Sequence, residues 1–419
     1  QTDGQMNSCD ILIKNGRVID PANNVDGHFD VAISGGRIAE VAAGIEGGAA
    51  EVFDADGLIV TPGLVDLHAH VYDKVIPLGI DPDHYCLGRG TTTVVDAGSA
   101  GADNFAGFRA FAIDRCRTRI LGFLNISRMG LACSGLGGDS NMPGELDLMK
   151  FVNMEHCVDC IEANRDVLVG VKIRLSNSIA DNGRNEQASF ELAVEAARAT
   201  KLPLMTHHSF SAVPLEDCPG NMVAGDVYTH CFHGFPSTII NPDTKEIEVP
   251  VQRARDNGVL FDIGMGQGSF NWTVAEFATR AGFWPDAIGT DLHAGTCEGP
   301  TYDMPTAMSR ILHLGMPLPE VIRCSTVEPA RAVRWDDRIG TLGQGRDADV
   351  AVFAIEAVDM DLEDCQSQMR RVSQLLVPKA VWRAGKPAAI TKARAFPNAE
   401  TIEAQKTWWP RLLVRDESL

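Results

Sequence analysis

Six side chains in this sequence have the types and spacing to hold metal together. His68 and His70 lie two apart in LVDLHAH, and on an extended strand that spacing turns both imidazoles to one face. His207 ends PLMTH, His230 ends DVYTH and Asp291 ends AIGTD, so each closes a separate apolar run. Neutral imidazole and carboxylate are donors that divalent cations accept, and Zn²⁺ is the expected ion, with Mn²⁺, Co²⁺ or Fe²⁺ tolerated. An HxH pair alone is weakly specific; the joint pattern at several run ends is far more so.

Lys172 is the unusual sixth member, because an ammonium is repelled by cations and cannot ligate while charged. Reaction with CO₂ would convert it into an anionic carboxylate able to bridge two metals. Alone, a strand-end Lys that carries its head to solvent is the better reading. The company of four histidines and an aspartate favours the bridge.

Other polar residues fall near the same run ends. Tyr72, Asn125, Arg174, His233 and His293 are candidate substrate contacts. Arg174 could fork onto a substrate carboxylate or form an ion pair within the protein. His208 follows His207 directly, so it should face away and pack. Cys157 and Cys160 resemble half of a zinc knuckle, but no second pair follows, and i, i+3 spacing suits one face of a helix. GSAGADNFAG is glycine-rich without GxGxxG or a P-loop lysine, and reads as a flexible active-site loop.

The elements that must position these groups can be read from periodicity. Short apolar runs at 58–67, 91–97, 119–126, 168–174, 202–207, 226–231, 259–264 and 287–292 alternate with amphipathic stretches. Helical spacing marks 190–200, 274–281 and 306–314. Strand then helix, repeated eight times, predicts an α/β fold, a (β/α)₈ TIM-like barrel over 58–337. Such barrels carry their sites at the C-terminal ends of the strands, where the candidate ligands lie. ILIKNGRVID and DVAISGGRIAEVA near the start, and DADVAVFAI and KAVWRAGKPAAI near the end, alternate apolar and polar residues. Residues 9–57 and 338–395 therefore predict one small β-sandwich built by both chain ends, followed by a tail over 396–419 containing Trp408 and Trp409. Residues 128–166 form an insertion with its own loop and helix.

Composition bounds the partners. With 45% hydrophobic and 22% charged residues the chain is ordinary globular material. A formal charge of −19 disfavours nucleic acid and anionic membrane but not a small anionic substrate beside local positive charge. Eleven scattered cysteines without framework spacing, no spanning-length apolar run and no signal-peptide pattern in residues 1–8 make the cytoplasm the expected compartment. A homo-oligomer is compatible with all of this.

At this point the chain resembles the amidohydrolase superfamily, in the binuclear group that includes dihydroorotases, hydantoinases, deacetylases and esterases. The resemblance rests on ILIKNGRVID, GLIVTPGLVDLHAHV, GTTTVVDAGS, VGVKIR, MTHH, YTHCFHG, GTDLH, VEPARAV and IGTLGQGRDADVAVF, which span nearly the whole chain. It implies His68, His70 and Asp291 on one ion, His207 and His230 on the other, and carboxylated Lys172 with a hydroxide bridging both. That hydroxide would attack the substrate carbonyl, with Asp291 as general base and then general acid. Dihydroorotases that resemble this chain usually have Arg where Tyr72 stands, and many deaminases have Glu shortly after the residue matching His207, where HSFSAV follows here. The expected reaction is therefore deacetylase- or esterase-type cleavage of an ester or amide in a small molecule that can bear a carboxylate. Cyclic amide opening is the alternative within enzymes, and a non-catalytic scaffold the alternative of another class.

Overall fold

The computed structural model describes residues 9–135, 143–392 and 396–408. Strands from both ends of the chain meet in one eight-stranded sheet. The N-terminal part supplies β1 (Cys9–Asp20), β2 (Val25–Ser34), β3 (Arg37–Ala42), β4 (Ala49–Asp54) and β5 (Ile59–Pro62). Β-branched residues alternate with polar ones along β1 and β2, which leaves Ile11, Ile13, Val18, Val31 and Ile33 on a buried cluster with Val350, Val352 and Trp382 from the other end.

The body of the molecule is a parallel sheet in sequential order: β6 (Leu64–Ala69), β7 (Thr91–Gly101), β8 (Arg119–Asn125), β9 (Leu168–Leu175), β10 (Leu204–His208), β11 (Val227–Thr229) and β12 (Leu260–Phe261). Its strands are buried almost throughout, as a sheet covered on both faces requires. The eighth predicted run, 287–292, is not a ladder strand. It is attached by isolated bridges, Ala287 to Asp262 beside β12 and Leu292 to Ala69 of β6, and so joins the first strand to the last. This curled, closed arrangement is consistent with a TIM-like barrel. The reason for the missing ladder is chemical: the Asp262 carboxylate accepts from Gly289 N and the Asp66 carboxylate from Thr290 N, so side chains take amides that a neighbouring strand would otherwise bind.

The chain then returns to the first sheet through β13 (Val350–Glu363), β14 (Met369–Arg383) and β15 (Lys386–Ala388), giving the order β15-β14-β13-β5-β1-β2-β3 with β4 also on β1. The two chain ends thus share one hydrogen-bonded eight-stranded sheet where a small sandwich was expected.

The run 58–67 is two strands rather than one. Β5 pairs with β1 and β13, β6 with β7, and the crossing falls at Gly63, where a Cβ would lie 2.2 Å from Thr92 Oγ1. Apolar continuity hid the change of sheet. The expected loop 98–107 is also corrected: β7 continues buried to Gly101, and Phe105–Phe108 is helical. Asp96 orders this stretch by accepting from Ser99 N and Val71 N.

Helices Glu186–Thr200, Trp272–Arg280 and Met304–His313 match the three predicted periodic segments within a few residues. Cys157 and Cys160 lie on helix Met154–Ala163, with Cys157 buried as a small apolar group. In the tail, helix Ala399–Trp408 docks on the β13–β14 connection, where Gln405 donates to Asp364 O and accepts from Ser367 N. Trp409 lies outside the described residues. No helix among the described residues is long and apolar enough to cross a membrane.

The two sheets are tied by a buried ion cluster. Arg119, opening β8, donates to Asp347 Oδ2 at 2.7 Å and to Asp349, both just before β13. Removing one partner leaves a buried charge uncompensated. Asp349→Ala is expected to lower unfolding stability by about 3–5 kcal/mol, read as a fall in the urea midpoint; an unchanged midpoint would deny the tie.

Candidate metal centre

Each candidate ligand is carried to the same end of the parallel sheet by its own strand. His68 and His70 close β6 and follow it; Lys172 lies in β9, His207 in β10, His230 directly after β11, and Asp291 in the eighth segment. His68, His70 and Asp291 each offer a ligand atom within 4.8 Å of the others. Asp291 Oδ1 is 3.3 Å from His68 Nε2 and 3.0 Å from His70 Nε2. The His230 ring lies 4.9 Å from that of His68 and 4.2 Å from that of His207.

Hydrogen bonds on the far side of each ring decide which nitrogen is free. Thr229 Oγ1 donates to Asp262 Oδ2 at 2.6 Å, so it accepts from His68 Nδ1 at 2.8 Å and leaves the His68 Nε2 lone pair facing Asp291. His230 Nδ1 donates to Gly264 O at 2.6 Å, and its Nε2 is buried without a partner. His207 Nε2 is 2.6 Å from Ser209 Oγ, which leaves Nδ1. His70 Nδ1 is 3.0 Å from Ser99 Oγ. An imidazole lone pair set against a carboxylate oxygen is repulsive unless a proton or a cation lies between them, so the donor set fits a cation.

The electrostatics follow. Burial and Lys172 press His68 toward neutrality, but Asp291 and Asp262 outweigh them and raise its pKa. Burial pushes Asp291 up, yet His68 and His70 hold its carboxyl well below the usual range. Burial, reinforced by neighbouring positive groups, holds His207 and His230 well below the ordinary imidazole value, so both are neutral donors at pH 7.

Lys172 is 3% exposed and its Nζ has no hydrogen-bond partner. A solvated lysine head is therefore not what the sequence placed there. Burial lowers its pKa to about 8, so roughly a tenth of the amine is neutral at pH 7, the form that reacts with CO₂, far more than for a solvated lysine. Gly98 makes room for it: a Cβ there would lie 2.6 Å from Lys172 Cγ, and its φ of +84° is the left-handed region. Gly266 does the same for Asp291, whose Oδ2 would lie 2.3 Å from an added Cβ.

Two ligand positions carry backbone strain. His230 and Asp291 have φ of 66° and 48°, values that non-glycine residues seldom adopt and that cluster at functional sites.

His68, His70, Lys172, His207 and Asp291 floor a cavity of about 290 Å³ lined also by Asn125, Arg174, Ser209, Phe210, Phe235 and His293. Of the five candidate substrate contacts, three border it. Asn125 spends its amide on Gly98 O and its Oδ1 on Ser127 N. His293 accepts Gly295 N–H at Nδ1, and burial lowers its pKa to about 4. Arg174 is held by Glu145. The other two are corrected. Tyr72 turns away, donating to Asn104 O at 3.1 Å and packing on Phe108, because β6 has ended at Ala69 and alternation no longer applies. His233 is fully buried off the cavity, with Nδ1 accepting Phe235 N–H. His208 packs as expected, bonded to Val213 O and near Tyr228 Oη.

Sequence reading missed Ser99, Thr229, Asp262 and Ser209, which orient the imidazoles. Only Ser209, two residues after His207, offered a local signal.

The amidohydrolase family model matches residues 59–388, and the chain belongs to that family. It is a hydrolytic enzyme of a family whose members are generally metal-dependent. A deacetylase of Agrobacterium fabrum is 34% identical over 377 residues, covering 89% of each chain. A crystal structure described as an adenine deaminase superposes with a TM-score of 0.82 at 34% identity, over 90% of this chain and 99% of that one. One described as a dihydroorotase gives 0.83 at 31% identity, over 93% and 99%.

If Lys172 reacts with CO₂ as its neutral amine, carbamate formation in metal-free protein should rise as pH climbs through about 8. Carbon-13 NMR with labelled bicarbonate should show a carbamate signal that Lys172→Ala lacks; a signal that persists in the variant would assign it elsewhere.

Proposed function

We propose that this chain is a binuclear hydrolase that cleaves an ester or amide bond in a small molecule, as a deacetylase or esterase does. One observation carries the reading: acceptor atoms of His68, His70 and Asp291 crowd within 4.8 Å on a cavity floor beside a buried, unpartnered Lys172. His68, His70 and Asp291 would hold one divalent ion and His207 and His230 the other, Zn²⁺ being the expected metal, with carboxylated Lys172 joining them. When bound, such ions lower the pKa of water and polarise a carbonyl.

The chain's own residues supply the rest. Asp291, an anion at neutral pH, accepts the proton of the attacking water and returns it to the leaving group. His293, neutral with its proton on Nε2, donates to a substrate oxygen. Leu78, Leu131, Phe210 and Phe235 wall the cavity and limit bulk water. The catalytic body is residues 58–337, with the shared sheet of both chain ends folding as a small sandwich over its own apolar cluster. The partner is a small molecule, and the expected compartment is the cytoplasm.

Relatives described as deacetylase and as dihydroorotase both match across most of the chain; acyl cleavage is favoured over ring opening because Tyr72 stands where an arginine is expected of a dihydroorotase and spends its hydroxyl on Asn104. A panel of acyl esters, N-acyl amino acids and cyclic imides tests this. Turnover of acyl substrates is expected; activity confined to cyclic imides would favour the hydantoinase-like alternative, and no activity with any substrate the scaffold alternative.

Asp291→Asn is expected to lower kcat at least about 100-fold, and an active variant would remove Asp291 from proton transfer. Lys172→Ala should lose most activity, partly regained with a small carboxylate added in solution.

A further inference from the structure

The role of the 128–166 insertion emerges from Arg174. This residue lies on β9 two positions beyond Lys172, so it shares Lys172's face of the sheet and borders the same cavity. Its Nε donates to Glu145 Oε1 at 2.6 Å, and its Nη2 to Glu145 Oε2 at 2.5 Å and Ser134 O at 2.6 Å. Both partners come from the insertion. Glu145 is completely buried, while 13% of the Arg174 side chain is accessible.

One edge of the guanidinium is therefore fully used and the other is not. Nη1 has no acceptor among the described residues, and it is absent from the buried unpaired atoms, so it reaches open space. The open space that Arg174 borders is the cavity above the metal cluster. Ser176 and Ser178, their hydroxyls 3.5 Å apart, line the same wall just past β9. Leu78, Leu131, Phe210 and Phe235, which also line the cavity, are apolar, and neither Gln267 nor Ser269 of its lining is bonded to Nη1.

Building on the hydrolase reading, we propose that Glu145 and the Ser134 carbonyl hold Arg174 as a receptor for a carboxylate on the substrate, so that the enzyme selects acyl compounds bearing an acid group. Glu145 is then a positioning residue. It accepts from Nε and Nη2 and leaves Nη1 as the donor for substrate, ordered before the ligand arrives. The insertion contributes by carrying this carboxylate to the strand end.

Two measurements on metal-loaded protein test the proposal. In the first, matched N-acetyl amino acids and their carboxamides are compared as substrates. The native enzyme should prefer the acid by roughly 10- to 100-fold in kcat/KM, mostly through KM. Arg174→Met should bring that ratio toward unity and Arg174→Lys to an intermediate value. Glu145→Gln should reduce it through the KM of the acid alone, with partial recovery in Glu145→Asp. In the second, calorimetry measures binding of phenylacetate and phenylacetamide, which needs no hydrolysis. The acid-to-amide affinity ratio should fall by roughly 10-fold or more in Arg174→Met. If neither acyl compound is turned over, the hydrolase reading fails, while the binding ratio still decides the role of Arg174. An acid preference that survives Arg174→Met, or is absent from the native protein in both measurements, overturns the proposal. A Glu145→Gln variant with lowered Tm and an unchanged ratio overturns the positioning role.

Discussion

Everything at the site depends on holding segment 287–292 against β6, and buried carboxylates do this where the hydrogen-bond ladder is incomplete. Asp66 accepts from His68 N and Thr290 N with one oxygen and from the Thr290 hydroxyl with the other. Asp262 grips the same segment from the opposite side through Gly289 N and, through Thr229, also fixes the His68 ring. One set of bonds thus closes the sheet and brings Asp291 within reach of His68 and His70. Burial raises the Asp66 pKa to about 7 despite these donors. Fold closure and ligand placement are consequently one structural problem, and the positive φ at Asp291 and His230 is strain that the surrounding contacts sustain.

The same burial sets the chemistry. Removing water keeps His207 and His230 neutral and leaves Lys172 without a partner, while the histidine pair keeps Asp291 anionic. Crowded lone pairs and an unpaired amine are costly to bury, and cations together with a carboxylated Lys172, as proposed, would relieve that cost.

Much of this was legible in the sequence because it is carried by periodicity. His68 and His70 share a face through the two-residue repeat, and His207, His230 and Asp291 were visible as polar ends of apolar runs. What was hidden is carried by contacts between distant segments. Thr229 and Asp262 orient His68 from 161 and 194 positions away, and no local pattern announces them. Tyr72 was singled out by its place near a run end, but β6 ends at Ala69 and the chain beyond it turns the side chain away from the cavity. The run 58–67 read as one strand because apolar character does not record which sheet a strand joins; Gly63 was the only mark of the crossing. Arg174 was legible as a candidate, but its partner Glu145 sits in a segment with no strand or helix signature of its own.

Anomalous diffraction at the absorption edge of the bound metal tests the central claim most directly, on crystals of protein prepared with Zn²⁺ and bicarbonate. Two peaks are expected, one among His68, His70 and Asp291 and one at His207 and His230, with density extending from Lys172 Nζ between them. No peak at His68, His70 and Asp291, with metal found elsewhere or not at all, would contradict the account.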